Sequence, residues 1–203
     1  PRRGGNQIWL HAASVGESIM LLPVIQKFLE HDPEVHILVT SGTVTSANML
    51  QDRLPPQAVH QYVPLDYPKA VNAFLDHWKP DLAIWAESEI WPNLIRQTKA
   101  RGIPMALINA RMSLKSIEGW EQRGKKSAKA LFGAFDVILA ANNDTARGLS
   151  GLAERTVEMS GNLKDAASPL PANPEKLKKL KSQIGRRPVW CAASTHPGED
   201  EIM

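Results

Sequence analysis

The chain has 203 residues, of which 43% are hydrophobic and 22% are charged, and its formal net charge is +3. This composition can form a sizeable core and excludes wholesale disorder, and the charge is too small to indicate a nucleic-acid-binding protein. The single cysteine, Cys191, excludes an internal disulfide and a multi-cysteine metal site. No apolar run reaches the roughly 18 residues needed to span a bilayer.

Apolar runs of strand length alternate with helical patterns along the chain. We predict strands near 8–13, 35–40, 59–63, 82–86, 104–110, 136–141, 157–160 and 188–193. The helical patterns fall near 18–31, 44–53, 68–78, 91–101, 114–132, 144–152 and 174–184. This alternation is typical of βαβ units, so it predicts an α/β fold with a parallel, doubly wound sheet.

The composition changes at residues 165–187, which begin with a Pro-rich stretch and continue into a basic helical pattern. We therefore predict a Rossmann-like domain over 1–164 and a linker with a basic helix over 165–187. Residues 188–203 repeat the apolar run and small-residue loop of the chain's beginning, which indicates the start of a second Rossmann-like domain. We expect the chain to be a fragment, because the sequence stops inside this second unit.

The first predicted strand ends in the loop His11-Ala12-Ala13-Ser14-Val15-Gly16-Glu17. In open α/β sheets, ligands bind beyond the carboxyl ends of the strands, and Glu17 lies at such an end where a helix begins. Two interpretations stay open. Glu17 is either an ordinary first-turn acid that stabilises the helix start, or a carboxylate that faces a substrate.

Small or polar side chains also follow the other predicted strands, and the carboxyl ends of parallel strands meet at one edge of a sheet. We therefore expect one cleft to be lined, together with Glu17, by Ser14, Gly16, Ser41, Thr43, Asn109, Arg111 and Lys164. Each of these residues also has a structural interpretation as a helix cap, a turn residue or a solvated charge. Glu87 and Glu89 follow the fourth strand; if that segment is extended, only one of them faces the cleft and the other is a structural acid.

Several site classes lack their sequence patterns. The first loop has one glycine and is not a dinucleotide fingerprint, and no Walker loop is present. The six histidines have no H-x-x-x-H spacing, so a zinc site is not indicated. We expect no metal and no cofactor.

Five spaced motifs together resemble the 3-deoxy-D-manno-octulosonic acid (Kdo) transferase family. They are His11–Glu17, Glu87–Asn93, Asn109–Ser113, Gly161–Lys164 and Ala193–Glu199. The resemblance implies a GT-B fold, in which two Rossmann-like domains face each other, and transfer of Kdo from CMP-Kdo to the lipid A precursor, lipid IVA, with inversion. It places the enzyme at the cytoplasmic face of the inner membrane of Gram-negative bacteria, peripheral or anchored by an N-terminal segment outside this chain.

The resemblance also implies roles for individual residues. Glu17 matches the family's catalytic base, and the first domain receives the acceptor. Glu87 and Glu89 are further candidate catalytic acids by their position after the fourth strand. The expected donor-binding residues in the second domain are Ser194, Thr195, His196 and Gly198. The following basic side chains either meet lipid A phosphates and an anionic membrane surface or form a solvated helix face: Arg111, Lys115, Arg123, Lys125, Lys126 and Lys129.

Two other functions stay open at this stage. The first is another GT-B sugar-nucleotide enzyme, such as a transferase or epimerase with a different substrate, because a fold does not determine a function. The second is a non-catalytic module that binds an anionic glycolipid. The intact acid at position 17 favours an enzyme over a binding module.

Overall fold

A computed structural model describes residues 6–166, 172–199 and 201. The chain divides into two compact units, Pro1–Ala167 and Ser168–Met203.

The first unit contains a seven-stranded sheet in which every strand pair is parallel. The strands are β1 (Gln7–His11), β2 (His36–Ser41), β3 (Ala58–Tyr62), β4 (Leu82–Ala86), β5 (Met105–Ala110), β6 (Val137–Ala140) and β7 (Glu158–Met159). Their order across the sheet is β3-β2-β1-β4-β5-β6-β7. The predicted parallel α/β fold is therefore confirmed, and each of the first seven predicted strands overlaps an observed one.

Helices connect successive strands. They are α1 (Val15–His31), α2 (Val44–Arg53), α3 (Pro68–Trp78), α4 (Pro92–Ala100), α5 (Leu114–Arg123), α6 (Lys125–Phe132) and α7 (Asn143–Ala153), with a 3-10 helix at Leu163–Ala166. The prediction of one helix over 114–132 is wrong, because the helix breaks at Gly124. Glycine is a poor helix former, and a Cβ at this position would lie 2.8 Å from the ring of Trp120.

The second unit contains α8 (Pro174–Ile184), which agrees with the predicted basic helix and begins at the Asn173 cap. The structure places no strand among the described residues at 188–193, where we predict one. Val189 and Trp190 are 63% and 68% exposed, and none of the observed strand pairs includes this segment. An apolar run forms a strand only when a neighbouring strand accepts its backbone hydrogen bonds, which explains the difference.

Apolar side chains cover both faces of the sheet. Along β1, Trp9 belongs to one buried cluster while Ile8 and Leu10 belong to another, as expected for the two-residue period of a strand. Trp9 packs against Phe74 and Trp85, with ring centroids 4.9 and 4.7 Å apart. The central strands are thus fixed by packing on both sides, which is typical of a parallel sheet covered by helices.

The close approach of α5 and α7 at Gly148 leads to a stability prediction. A Cβ at Gly148 would lie 2.3 Å from Cδ1 of the buried Ile117. Gly148→Ala should therefore cost about 1–3 kcal/mol in overpacking, against a helix-propensity gain of about 1 kcal/mol. We expect a lower urea midpoint for unfolding.

Gly151→Ala is the matched control, because Gly151 lies on the same helix and its added Cβ would meet only the Glu121 Oε1 atom, at 3.8 Å. This variant should be unchanged or up to about 1 kcal/mol more stable. Equal urea midpoints for the two variants would contradict the proposed clash with Ile117.

Candidate active site

The strand order reverses direction between β1 and β4, which are neighbours at the centre of the sheet. From β1 the chain continues outward to β2 and β3, whereas from β4 it continues outward to β5, β6 and β7. Loops that leave the carboxyl ends of two such strands diverge and open a crevice. Glu17 follows β1, and Glu87 and Glu89 follow β4, so all three acids lie at this switch point.

Glu17 sits in the first turn of α1 with its carboxylate held on both oxygens. The Ala13 N–H donates to Oε2 at 2.9 Å, and the Ser14 hydroxyl donates to Oε1 at 2.8 Å. Ser14 is also the N-cap of α1 and accepts from the Glu17 N–H. Ser14 thus caps α1, and the Glu17 carboxylate accepts from two groups just before the helix, which agrees with the structural interpretation of Glu17.

The electrostatic surroundings of Glu17 go beyond those of a helix cap. The residue is only 8% exposed. Burial raises the pKa of its carboxyl, and the negative charges of Glu87 and Glu89 raise it further, while the hydrogen bonds from Ala13 and Ser14 lower it. A carboxylate whose proton affinity is increased at the mouth of a crevice is a candidate general base.

Glu87 forms an ion pair with Lys164 across the cleft edge. The Lys164 Nζ atom lies 2.6 Å from Glu87 Oε1, and the Glu87 side chain is 17% exposed. The Asn109 amide also donates to Glu87 Oε1, at 3.4 Å. These contacts bring together three predicted site residues from three different strand ends: Glu87 follows β4, Asn109 is the penultimate residue of β5, and Lys164 follows β7.

Glu89 lies in a different local environment. Its Oε2 accepts from the Trp91 indole N–H at 2.7 Å. Residues 87–88 form a turn, and Glu87 has a left-handed φ of 58°. Because the segment is turned and not extended, the expectation that one of the two acids must face away does not apply, and both lie near enough to influence Glu17.

A groove of about 490 Å³ lies beside Glu89 and Arg111. Its walls combine the indoles of Trp91 and Trp120 with the apolar side chains of Ile90 and Met112 and several serines. Such a surface offers stacking area for a sugar or an acyl chain together with one cation for an anionic group.

The remaining predicted acceptor residues lie at or after the carboxyl ends of the parallel strands; that they line one cleft and bind the acceptor stays a prediction. Ser41 is buried and hydrogen-bonds His60 at 2.9 Å. Thr43 is the N-cap of α2, and Gly16 is exposed in the first turn of α1. Asn109 is completely buried, so its side chain presents no surface to a ligand in this structure.

The basic side chains of the loop after β5 and of helices α5 and α6 are all exposed, which keeps both of their interpretations open. Lys129 pairs with Glu154. A shallow groove of about 710 Å³ is lined by four basic side chains, those of Arg96, Lys99, Lys126 and Lys129.

The predicted donor residues belong to the second unit, and all four are exposed. Ser194 and Gly198 have left-handed φ values of 58° and 91°. The Glu199 carboxylate accepts from the His196 N–H at 2.9 Å, and the Glu199 N–H donates to the His196 carbonyl at 3.0 Å. In both motifs a backbone N–H that precedes the glutamate donates to its carboxylate, from His196 to Glu199 and from Ala13 to Glu17. The donor-binding role stays a prediction.

His11 is a buried residue at the end of the strand that leads to Glu17, and the sequence pattern did not single it out. It ends β1, is 1% exposed, and places Nδ1 2.9 Å from Thr40 Oγ1, while Nε2 has no hydrogen-bond partner in the described part of the chain. Burial lowers the pKa of His11 to about 4. The imidazole is therefore neutral at neutral pH and supports the strand end that leads to Glu17.

The described residues contain no group of three or more His, Cys, Asp or Glu side chains suited to a metal ion. Within 6–166, 172–199 and 201, no helix is both long and apolar enough to cross a membrane.

Comparison with known proteins gives the family. The sequence model of the 3-deoxy-D-manno-octulosonic-acid transferase (kdotransferase) family matches residues 1–167. The chain belongs to the Kdo transferase family. It is 40% identical over 196 residues to a 3-deoxy-D-manno-octulosonic acid transferase of Rickettsia bellii, covering 97% of this chain and 46% of that protein.

Other Kdo transferase relatives show the same coverage. A probable mitochondrial 3-deoxy-D-manno-octulosonic acid transferase of Arabidopsis thaliana is 35% identical, covering 100% of this chain and 46% of that protein. The 3-deoxy-D-manno-octulosonic acid transferase of Haemophilus influenzae is 34% identical, and the match covers 97% of this chain and 46% of that protein. The chain thus spans about half the length of the curated relatives it matches.

Among solved structures, the chain is similar to a UDP-GlcNAc 2-epimerase from Neisseria meningitidis bound to UDP-GlcNAc. The TM-score is 0.59 at 16% identity, covering 88% of this chain and 53% of that one. A second UDP-N-acetylglucosamine 2-epimerase has a TM-score of 0.60 at 13% identity, and the match covers 89% of this chain and 55% of that one. At such identities the likeness shows the fold alone, and it agrees with the expected GT-B type.

Proposed function

We propose that the whole protein is a glycosyltransferase that moves Kdo from CMP-Kdo to the lipid A precursor, lipid IVA, with Glu17 as general base. The observation that carries the proposal is the buried Glu17 carboxylate at the switch point of the sheet, in a chain that belongs to the Kdo transferase family. It requires no metal and no cofactor.

In the proposed reaction, an acceptor hydroxyl attacks the anomeric carbon of Kdo and the bond to the CMP phosphate breaks, with inversion. The hydroxyl proton passes to Glu17. Ala13 and Ser14 hold the Glu17 carboxylate in one orientation, so little reorganisation is needed when the proton arrives. The raised pKa of Glu17 increases the driving force for this transfer.

The two substrates are assigned to different parts of the chain. We propose that residues 1–164 form the acceptor domain, 165–187 the linker and basic helix, and 188–203 the beginning of the nucleotide-sugar domain. Arg111 and the groove between Trp91 and Trp120 are suited to an anionic glycolipid. Ser194, Thr195, His196 and Gly198 are proposed to bind the CMP phosphate, since backbone N–H groups in turns bind anions well.

The proposed location is the cytoplasmic face of the bacterial inner membrane. The exposed basic side chains of α5 and α6 support this location, because each such charge is worth about 1 kcal/mol near an anionic bilayer. The fold alone would equally suit another sugar-nucleotide enzyme, since the chain resembles UDP-GlcNAc 2-epimerases in structure. The family match favours Kdo transfer.

An assay of the full-length protein tests the proposal. We expect transfer of Kdo from CMP-Kdo to lipid IVA, detected as a mass increase of the lipid, and no turnover of UDP-GlcNAc under the same conditions. The control is the protein without CMP-Kdo. Turnover of UDP-GlcNAc without Kdo transfer would favour the alternative enzyme, and tight binding of lipid IVA without any turnover would favour a non-catalytic module.

A further inference from the structure

We propose that Asn109 is a positioning residue that holds the Glu87–Lys164 pair together beside Glu17. The inference rests on the proposed function, and it deepens that function by assigning a supporting role to a residue that touches no substrate. Asn109 is the penultimate residue of β5, just before Ala110, and is completely buried.

The Asn109 side chain joins three separate elements. Its Oδ1 accepts from the Leu163 N–H at 3.0 Å, in the 3-10 helix that carries Lys164. Its Nδ2 donates to Glu87 Oε1, in the turn after β4, and also contacts Met20 Sδ on α1, at 2.9 Å. One amide therefore fixes the backbone next to Lys164 and the carboxylate that Lys164 binds.

The backbone conformation supports a specific role for asparagine. Asn109 has a φ of 51° and its neighbour across the sheet edge, Glu87, has a φ of 58°. Non-glycine residues in this region cost free energy and gather at functional sites, and asparagine tolerates the region better than most residues. Glycine or aspartate can therefore replace Asn109 while keeping the backbone, which allows its two side-chain functions to be separated.

Two substitutions distinguish the hydrogen bond that the Asn109 oxygen accepts from the one that its nitrogen donates. Asn109→Gly removes both hydrogen bonds, whereas Asn109→Asp keeps an oxygen for the Leu163 N–H but loses the donor to Glu87 and adds a negative charge. We expect both variants to lower turnover by about tenfold or more, in line with coupling energies within hydrogen-bonded networks. Amide exchange at Leu163 should accelerate in Asn109→Gly and stay slow in Asn109→Asp.

A double-mutant cycle with Lys164→Met in the full-length protein completes the test. If Asn109 acts through the pair, Asn109→Gly should lower turnover by less than about twofold when Lys164 is already replaced. Equal effects of Asn109→Gly in both backgrounds, or unchanged Leu163 exchange in Asn109→Gly, would overturn the proposal.

Failure of the Asn109 proposal can be distinguished from failure of the proposed function. Glu17→Gln should abolish the base and leave Leu163 exchange unchanged. If the full-length wild type shows no Kdo transfer, the proposed function fails, yet the exchange measurement in the two Asn109 variants still decides whether this residue holds the 3-10 helix.

Discussion

Glu17→Gln in the full-length protein should lower the turnover for Kdo transfer by at least a hundredfold. General-base assistance is typically worth about 10²–10⁴ in rate, and glutamine keeps the size of the side chain without its basicity. The geometry allows glutamine to stay in place. Its carbonyl can accept from the Ala13 N–H, and its amide can donate to the Ser14 hydroxyl, the two groups that hold Glu17.

Ser14→Ala is the matched control, because it removes the cap but retains the carboxylate. Loss of a serine N-cap costs about 0.5–2 kcal/mol of stability. We expect Ser14→Ala to be less stable than Glu17→Gln while keeping far more activity. Near-normal turnover of Glu17→Gln with normal binding of both substrates would exclude the base, whereas failure of that variant to fold would leave Glu17 as a helix cap only.

The case of Glu17 shows how far sequence reasoning reaches at a functional site. The sequence predicts the strand, the loop and the acid at the helix start, and it offers a structural and a functional interpretation. The structure shows that these interpretations are not exclusive. The same carboxylate is hydrogen-bonded to the helix N-cap residue Ser14 and has a raised pKa, because the loop buries it beside two other acids.

Contacts between residues that are far apart in the sequence could not be predicted from the sequence pattern. The common edge of the site follows from parallel strands alone, but the reversal between β1 and β4 requires the strand order. The Glu87–Lys164 pair depends on a 3-10 helix that has no periodic signal. Asn109 looks like an ordinary polar residue at a strand end, and only its burial and its partners reveal that it serves the protein interior.

Acidification should destabilise the folded chain through His11. Burial lowers the pKa of His11 from 6.5 to about 4, so the folded state keeps the imidazole neutral where the unfolded chain would protonate it. Its contribution to stability is fully present above pH 6.5 and is lost as the pH falls toward 4. The difference between the two pKa values corresponds to about 3 kcal/mol.

Urea unfolding at pH 7 and pH 4.5 measures this contribution. The wild type should lose about 2–3 kcal/mol more between the two pH values than His11→Gln, which has no titrating group at this position. Other carboxyl groups titrate in both proteins and cancel in the comparison. His31→Gln, at an exposed histidine at the end of α1, is the control for the histidine-to-glutamine substitution itself.

The His11→Gln variant should distinguish the effects of protonating Glu17 from the effects of protonating His11. Protonation of Glu17 removes the proposed base without unfolding the chain, and it should lower turnover as the pH falls through the raised pKa of Glu17, with or without His11. Protonation of His11 acts on the end of β1 and on the packing against Thr40 and Trp85. In His11→Gln we therefore expect the pH dependence of turnover to persist while the pH dependence of unfolding weakens. Equal pH dependence of unfolding in the wild type and His11→Gln would exclude His11 as the source of acid sensitivity.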